Sequence, residues 1–288
     1  MSATIGHLRR GPGDPTYRIV DGRHWRGLRT PEGPATLALA ERAGEIHAEA
    51  WGSGAAWALE QVPALLGADD DGGGFTPGDP VIAGLVARLG VPRFGRTDLV
   101  MEALVPAVLE QRVTGQEAYA GFRHLVHRHG ERAPGPGADL RLWVQPDPAA
   151  LRRVASWDWL RFHIDPARSK AVVVAARVAD SLERTLGLPG AEVERRLTSL
   201  PGIGEWTAAE VRQRAHGDPD AVSFGDYHVA KDVGWALTNE PWDDDRLRDY
   251  LEPFRGHRRR VVALVYAAAG HRPRRGPRMA PRTHLPAY

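Results

Sequence analysis

The chain has 288 residues, 42% of them hydrophobic, enough to enclose one large core or two ordinary ones. It has no cysteine, which excludes disulfides, thiolate metal sites, a cysteine nucleophile and a cysteine-bound iron–sulfur cluster, and which is compatible with a reducing compartment. Formal net charge is only +2, yet arginines at 255, 258, 259, 260, 272, 274, 275, 278 and 282 fall in a stretch, 253–288, without a carboxylate, suited either to phosphate contacts or to a solvated tail.

In chain order, residues 17–20, 36–40 and 45–51 are short β-like runs with glycine and proline between them, and a small antiparallel sheet is expected. A helical stretch runs from 53 to 66, and 67–78, with Asp69, Asp70, Asp71 and several glycines, reads as an exposed linker. From there the pattern is helical, with apolar positions at helical spacing in 81–89, 98–111, 116–129, 149–156, 169–186 and 191–200. The expected division is an N-terminal α+β domain (1–75), a helical region (76–270) and a basic tail (271–288). The first residues are charged and proline-rich rather than an apolar leader, and the most apolar run, 261–269, is far shorter than a bilayer span, so no membrane association is expected.

The most informative stretch is Leu197-Thr198-Ser199-Leu200-Pro201-Gly202-Ile203-Gly204-Glu205-Trp206-Thr207-Ala208-Ala209. A helix ends near Leu200, a proline and two glycines make a tight turn, and a second helix starts at about Glu205. Gly202 and Gly204 are free to take positive φ and to let another backbone approach. Amides of such a turn at a helix N-terminus converge on an anion, so a phosphate can dock without a charged side chain. The plain alternative is a helical hairpin whose glycines serve only the turn. About twenty residues on, Ser223-Phe224-Gly225-Asp226-Tyr227-His228 puts a carboxylate just before another helix. Asp226 suits a helix N-cap as well as chemistry.

These two segments, in this order and spacing, resemble the helix-hairpin-helix DNA glycosylases, within them the 3-methyladenine glycosylase II (AlkA-like) branch. Weaker matches are Val108-Leu109-Glu110-Gln111-Arg112-Val113-Thr114, Ser169-Lys170-Ala171 and Glu252-Pro253-Phe254-Arg255. The resemblance implies a mostly α fold of two helical subdomains with a small N-terminal antiparallel sheet. It implies a monomeric, cytoplasmic, nucleoid-associated repair enzyme that binds duplex DNA, flips out a damaged base and hydrolyses its N-glycosidic bond.

In that scheme Asp226 stabilises the oxocarbenium-like sugar or orients water. Gly202, Ile203, Gly204, Glu205 and Thr207 contact the DNA backbone with Gln111, and Arg112 fills the gap left by the base or contacts a phosphate. The carbonyls of Thr198, Leu200 and Ile203 hold a structural sodium or potassium ion, and no cofactor is needed for catalysis. Trp206 stands where lyase-competent relatives carry a nucleophilic lysine, so hydrolysis without strand cleavage is expected. Trp206 would line the base pocket with Glu210, Tyr227 and Phe122; the alternative for Trp206 is a buried core tryptophan. Glu210 replaces an aromatic of the pattern, and counting from Pro253 puts Ala263 where another pocket tryptophan is expected. An alkylated purine is the preferred lesion. The alternatives are an oxidised or deaminated base (8-oxoguanine, uracil, hypoxanthine) and a DNA-binding protein without catalysis.

Overall fold

A computed structural model describes residues 1–270 and 272, so nearly all of the basic stretch 271–288 lies outside the described residues. Strands β1 (Tyr17–Val20), β2 (Arg23–Thr30), β3 (Gly33–Arg42) and β4 (Glu45–Gly52) form an antiparallel meander in sequence order. Strand β2 was not expected. Its sequence carries an arginine at every third position (Arg23, Arg26, Arg29) and no clear two-residue alternation, yet nearly all of it is buried, because the sheet is covered on both faces. Leu28, Leu37 and Leu39 pack with Ile5, Ala58, Leu65 and Leu99 on one face, and Trp25 and Ala38 pack with Ala133, Leu142 and Val144 on the other. The Arg26 guanidinium of β2 pairs with Glu102, which keeps a buried cation inside this layer from standing alone.

Helix α1 (Ala55–Glu60) follows the sheet and ends earlier than expected, giving way to a single turn at Val62–Leu65. Residues 67–78 are not simply an exposed linker. Asp70 accepts hydrogen bonds from the amides of Gly72 (3.1 Å) and Phe94 (2.7 Å) and forms a two-pronged ion pair with Arg260, while Phe75 is buried.

The helical part has two cores. The first surrounds α3 (Val100–Leu109), which follows α2 (Pro80–Leu89) and is apolar all round except at Glu102, as befits a central helix. Its first two amides are capped by the Glu183 carboxylate at 2.8 Å each. Around it pack α4 (Gly115–His129), α5 (Pro148–Arg153), α6 (Ser156–Arg161), α7 (Pro166–Arg177), α8 (Ala179–Glu183), α9 (Gly190–Thr198) and α10 (Glu205–Val211), the last continuing through a wider turn to His216. A two-residue ladder, β5 (Glu131–Arg132) with β6 (Trp143–Val144), is a further element the sequence reading lacked. The second core joins α2 to α11 (Val229–Thr238), α12 (Asp244–Leu251) and α13 (Arg258–Ala269) through Ile82, Val233, Leu247, Leu251, Val261 and Leu264. The fold is mostly α with a small antiparallel sheet, as expected. Among the described residues no helix is long and apolar enough to cross a membrane.

Candidate active site

The turn between α9 and α10 belongs to the first core, and the loop bearing Asp226 leads into the second. Leu197 and Ile203 anchor the turn in the first core, so the Ile203 side chain is buried and only its main chain is offered outward. Gly202 has φ +86°, and a Cβ there would stand 2.9 Å from the Ala171 Cβ of α7, so both backbone and space require glycine. Gly204, at φ −98° and ψ −178°, is extended. The freedom to take positive φ is therefore used at Gly202 alone. The amides of Glu205, Trp206 and Thr207 have no acceptor among the described residues, and the first intrahelical bond is from Ala208 N–H to the Gly204 carbonyl at 2.9 Å. This is the positive end of a helix, with its donors unspent.

Gln111 lies against this turn. Its side-chain amide donates to the Gly202 carbonyl (2.9 Å) and to the Thr207 hydroxyl (2.8 Å), tying the end of α3 to the hairpin. Arg112 follows at φ +54°, is exposed, and makes no hydrogen bond or ion pair among the described residues. Arg168, which the sequence reading did not single out, supports this loop from below. Buried on α7, it donates to the Leu109 carbonyl at 2.8 Å and the His163 carbonyl at 3.1 Å, and pairs with Asp165 at 2.7 Å.

Asp226 is half-buried and fully engaged. One carboxylate oxygen accepts from the amides of His228 (2.7 Å) and Val229 (3.3 Å) at the start of α11, and the other accepts from the Trp206 indole N–H at 3.2 Å. The loop itself is set by Gly225 at φ +82°, whose amide donates to Asp244 of α12 at 2.9 Å. The N-cap of α11 is His228, not Asp226; Asp226 stands two residues earlier and bonds the first amides from there, beside the hairpin. The hairpin, Gln111, Arg112, Trp206 and Asp226 form one contiguous group.

Other expected residues are placed differently. Glu210 is only 8% exposed and lies under the Asp226 loop, where it accepts from Ser223 Oγ at 2.5 Å and from Arg214 at 2.6 Å. Burial works to raise its carboxyl, but Arg214, the Ser223 hydroxyl and Arg10 outweigh burial and hold it below the usual range. Both of its oxygens are therefore already spent on the protein. Phe122 is enclosed in the first core and is not part of the group around Trp206. Tyr227 is 67% exposed, with the Lys231 ammonium 3.6 Å from its ring centroid.

On α13, Tyr266 lies three residues beyond Ala263 and so on the same helix face, and packs partly buried against the second core. Burial, and then the negative charges of Asp232 and Asp226, raise its hydroxyl above the ordinary tyrosine range. The carbonyls of Thr198 and Ile203 accept no hydrogen bond among the described residues, and that of Leu200 accepts one, from Ile203 N–H at 3.0 Å. Such neutral oxygens on a turn are a donor set suited to a hard monovalent cation.

No family model matches the chain. It is 29% identical over 150 residues to a curated Mycobacterium tuberculosis protein described as a probable bifunctional transcriptional activator/DNA repair enzyme AlkA. That match spans 51% of this chain and 29% of the relative, so the chain covers less than a third of the relative's length. Among solved structures it is similar to a 3-methyladenine DNA glycosylase of Archaeoglobus fulgidus (20% identity, TM-score 0.71, 88% of this chain and 89% of that one). It is also similar to a Clostridium acetobutylicum 8-oxoguanine glycosylase/lyase in complex with double-stranded DNA (14%, 0.66, 91% and 89%). A weaker likeness is to a Schizosaccharomyces pombe 3-methyladenine DNA glycosylase in complex with abasic DNA (18%, 0.50, 63% and 87%).

Proposed function

We propose that this chain, which has the fold of the helix-hairpin-helix DNA glycosylases, hydrolyses the N-glycosidic bond of a damaged base extruded from duplex DNA, with an alkylated purine such as 3-methyladenine as its substrate. The observation that carries the reading is the Asp226 carboxylate, aimed by two helix amides and the Trp206 indole and standing one side chain from the unspent amides of the hairpin.

The free amides grip a phosphate without reading sequence. Thr198, Leu200 and Ile203 would hold a monovalent cation there, adding positive charge to the grip. With the backbone fixed, the sugar of the extruded nucleotide faces Asp226. As the C1′–N bond lengthens, positive charge builds on the sugar, and a carboxylate already oriented stabilises it without reorganisation. The base leaves with the bonding pair, and water adds at C1′ and gives up a proton to solvent. Trp206 has no amine to form a Schiff base, so the product is an intact strand with an abasic site. Its ring, together with Tyr266, supplies aromatic surface for the extruded base, and a π-face favours a cationic, alkylated one. Arg112, exposed on its left-handed residue beside the hairpin, is the group to fill the vacated stack. One nucleotide needs one such site, so a monomer suffices.

Duplexes bearing one lesion each, analysed with and without hot alkali, test this. Release of alkylated purines revealed only by alkali is expected, with release falling about a hundredfold or more in Asp226→Asn. Release of neutral oxidised or deaminated bases alone overturns the substrate assignment. Unchanged release by Asp226→Asn, or none from any lesion by the wild type, leaves DNA binding without chemistry.

A further inference from the structure

Glu205 is the first residue of α10 and stands beside amides that, on the reading above, grip a phosphodiester, a place where a carboxylate repels the ligand. The structure shows how that charge is held. Arg248 of α12 meets Glu205 through two parallel hydrogen bonds of 2.8 and 2.7 Å. The two side chains are 42% and 41% exposed, so the pair sits on the protein surface. The guanidinium also covers the ring of Phe224, 3.8 Å from its centroid, two residues before Asp226. On the same helix Asp244 holds the Gly225 amide. The guanidinium is thus fixed between the hairpin and the Asp226 loop by an uncharged ring that stays in place and by a carboxylate that another anion is able to replace. Its fork of donors matches phosphate as well as it matches carboxylate.

From this geometry we propose that Arg248 is a second phosphate-binding group, for a phosphodiester of the strand gripped by the hairpin, and that Glu205 occupies its fork only in the DNA-free protein. The inference rests on the hairpin being the DNA grip. Glu205 then has two parts in binding: its amide attracts the backbone, while its side chain competes with it.

The test is binding to a duplex carrying a tetrahydrofuran abasic-site analogue, which cannot be turned over, measured against salt for the wild type, Glu205→Gln, Arg248→Gln and the double variant. Thermal unfolding of each is recorded alongside to show that it is folded. Arg248→Gln is expected to weaken binding about tenfold at low salt and to reduce the slope of log K against log salt by about one. Glu205→Gln is expected to bind about threefold more tightly than the wild type, and the double variant more tightly than Arg248→Gln, since the unpaired carboxylate is gone. A pair that only braces α12 against the hairpin gives weaker binding in every variant. That result, or an unchanged salt slope in Arg248→Gln, overturns the proposal. A wild type that does not bind the duplex removes the hairpin reading with it, whereas a binding wild type with a weakened Glu205→Gln removes this proposal alone.

Discussion

Asp226 shows how much work one side chain does at a junction. It closes the start of α11 through two amides and reaches across to the other helical core through the Trp206 indole. A hydrogen bond to a charged group contributes roughly 1.5–3 kcal/mol, and here its main effect is on direction, because the amides alone leave the second oxygen unrestrained. Trp206→Phe keeps an aromatic ring and removes only that donor. Base release is expected to fall by about tenfold or more with little change in affinity for an abasic-analogue duplex, as seen by single-turnover kinetics beside equilibrium binding. A loss confined to affinity would assign the indole N–H to ligand contact instead.

At the scale of elements, the hairpin works because its neighbours hold it from two sides. Gln111 bonds it from the end of α3, and Ala171 of α7 packs so close to Gly202 that no side chain fits there. Gly202→Ala therefore meets both a left-handed backbone and a contact of 2.9 Å with a Cβ that cannot swing away. A loss of about 1–3 kcal/mol is expected, read as a lowered urea midpoint, together with weaker duplex binding. Unaltered stability would mean that α7 shifts readily and that the hairpin is less constrained than its contacts indicate. The hairpin and the Asp226 loop were legible in the sequence because each is a contiguous string whose glycines and prolines act locally. Tyr266, Arg168 and Arg248 were not, since their relation to the site depends on how α13, α7 and α12 pack and on no local pattern. Glu210 was assigned to the pocket because it stands where the resembled pattern has an aromatic residue. A match to a pattern does not say that Arg214 and Ser223 already engage both oxygens of that carboxylate.

Over the whole molecule, the helical region was readable from periodicity, whereas β2 was hidden by its cover on both faces, which removes the alternation by which strands are recognised. Burial also sets the response to acid. His216, at the end of the turn that extends α10, bonds to the Thr185 hydroxyl at 3.0 Å, and burial, the largest influence, lowers it from 6.5 to about 4. His7, His24 and His257 are lowered as well, each chiefly by burial. A histidine depressed in the folded state binds its proton more readily when unfolded. Its contribution is complete above the unfolded value and is lost as pH falls toward about 4, at up to roughly 1.4 kcal/mol for each pH unit. Urea midpoints are accordingly expected to drop between pH 7 and pH 5, with a shallower drop in His216→Gln. An identical pH profile in that variant would show that other groups govern the acid limb.

The tie between Asp70 and Arg260 joins positions 190 residues apart. A growing chain emerges from its N-terminus, so the sheet and the first helices are made long before Arg260 exists to receive them. Through that interval the second core, which needs both α2 and α13, lacks its later half. Connectivity alone makes this clasp, which brings early and late segments together, one of the last of the described contacts that the chain is able to form.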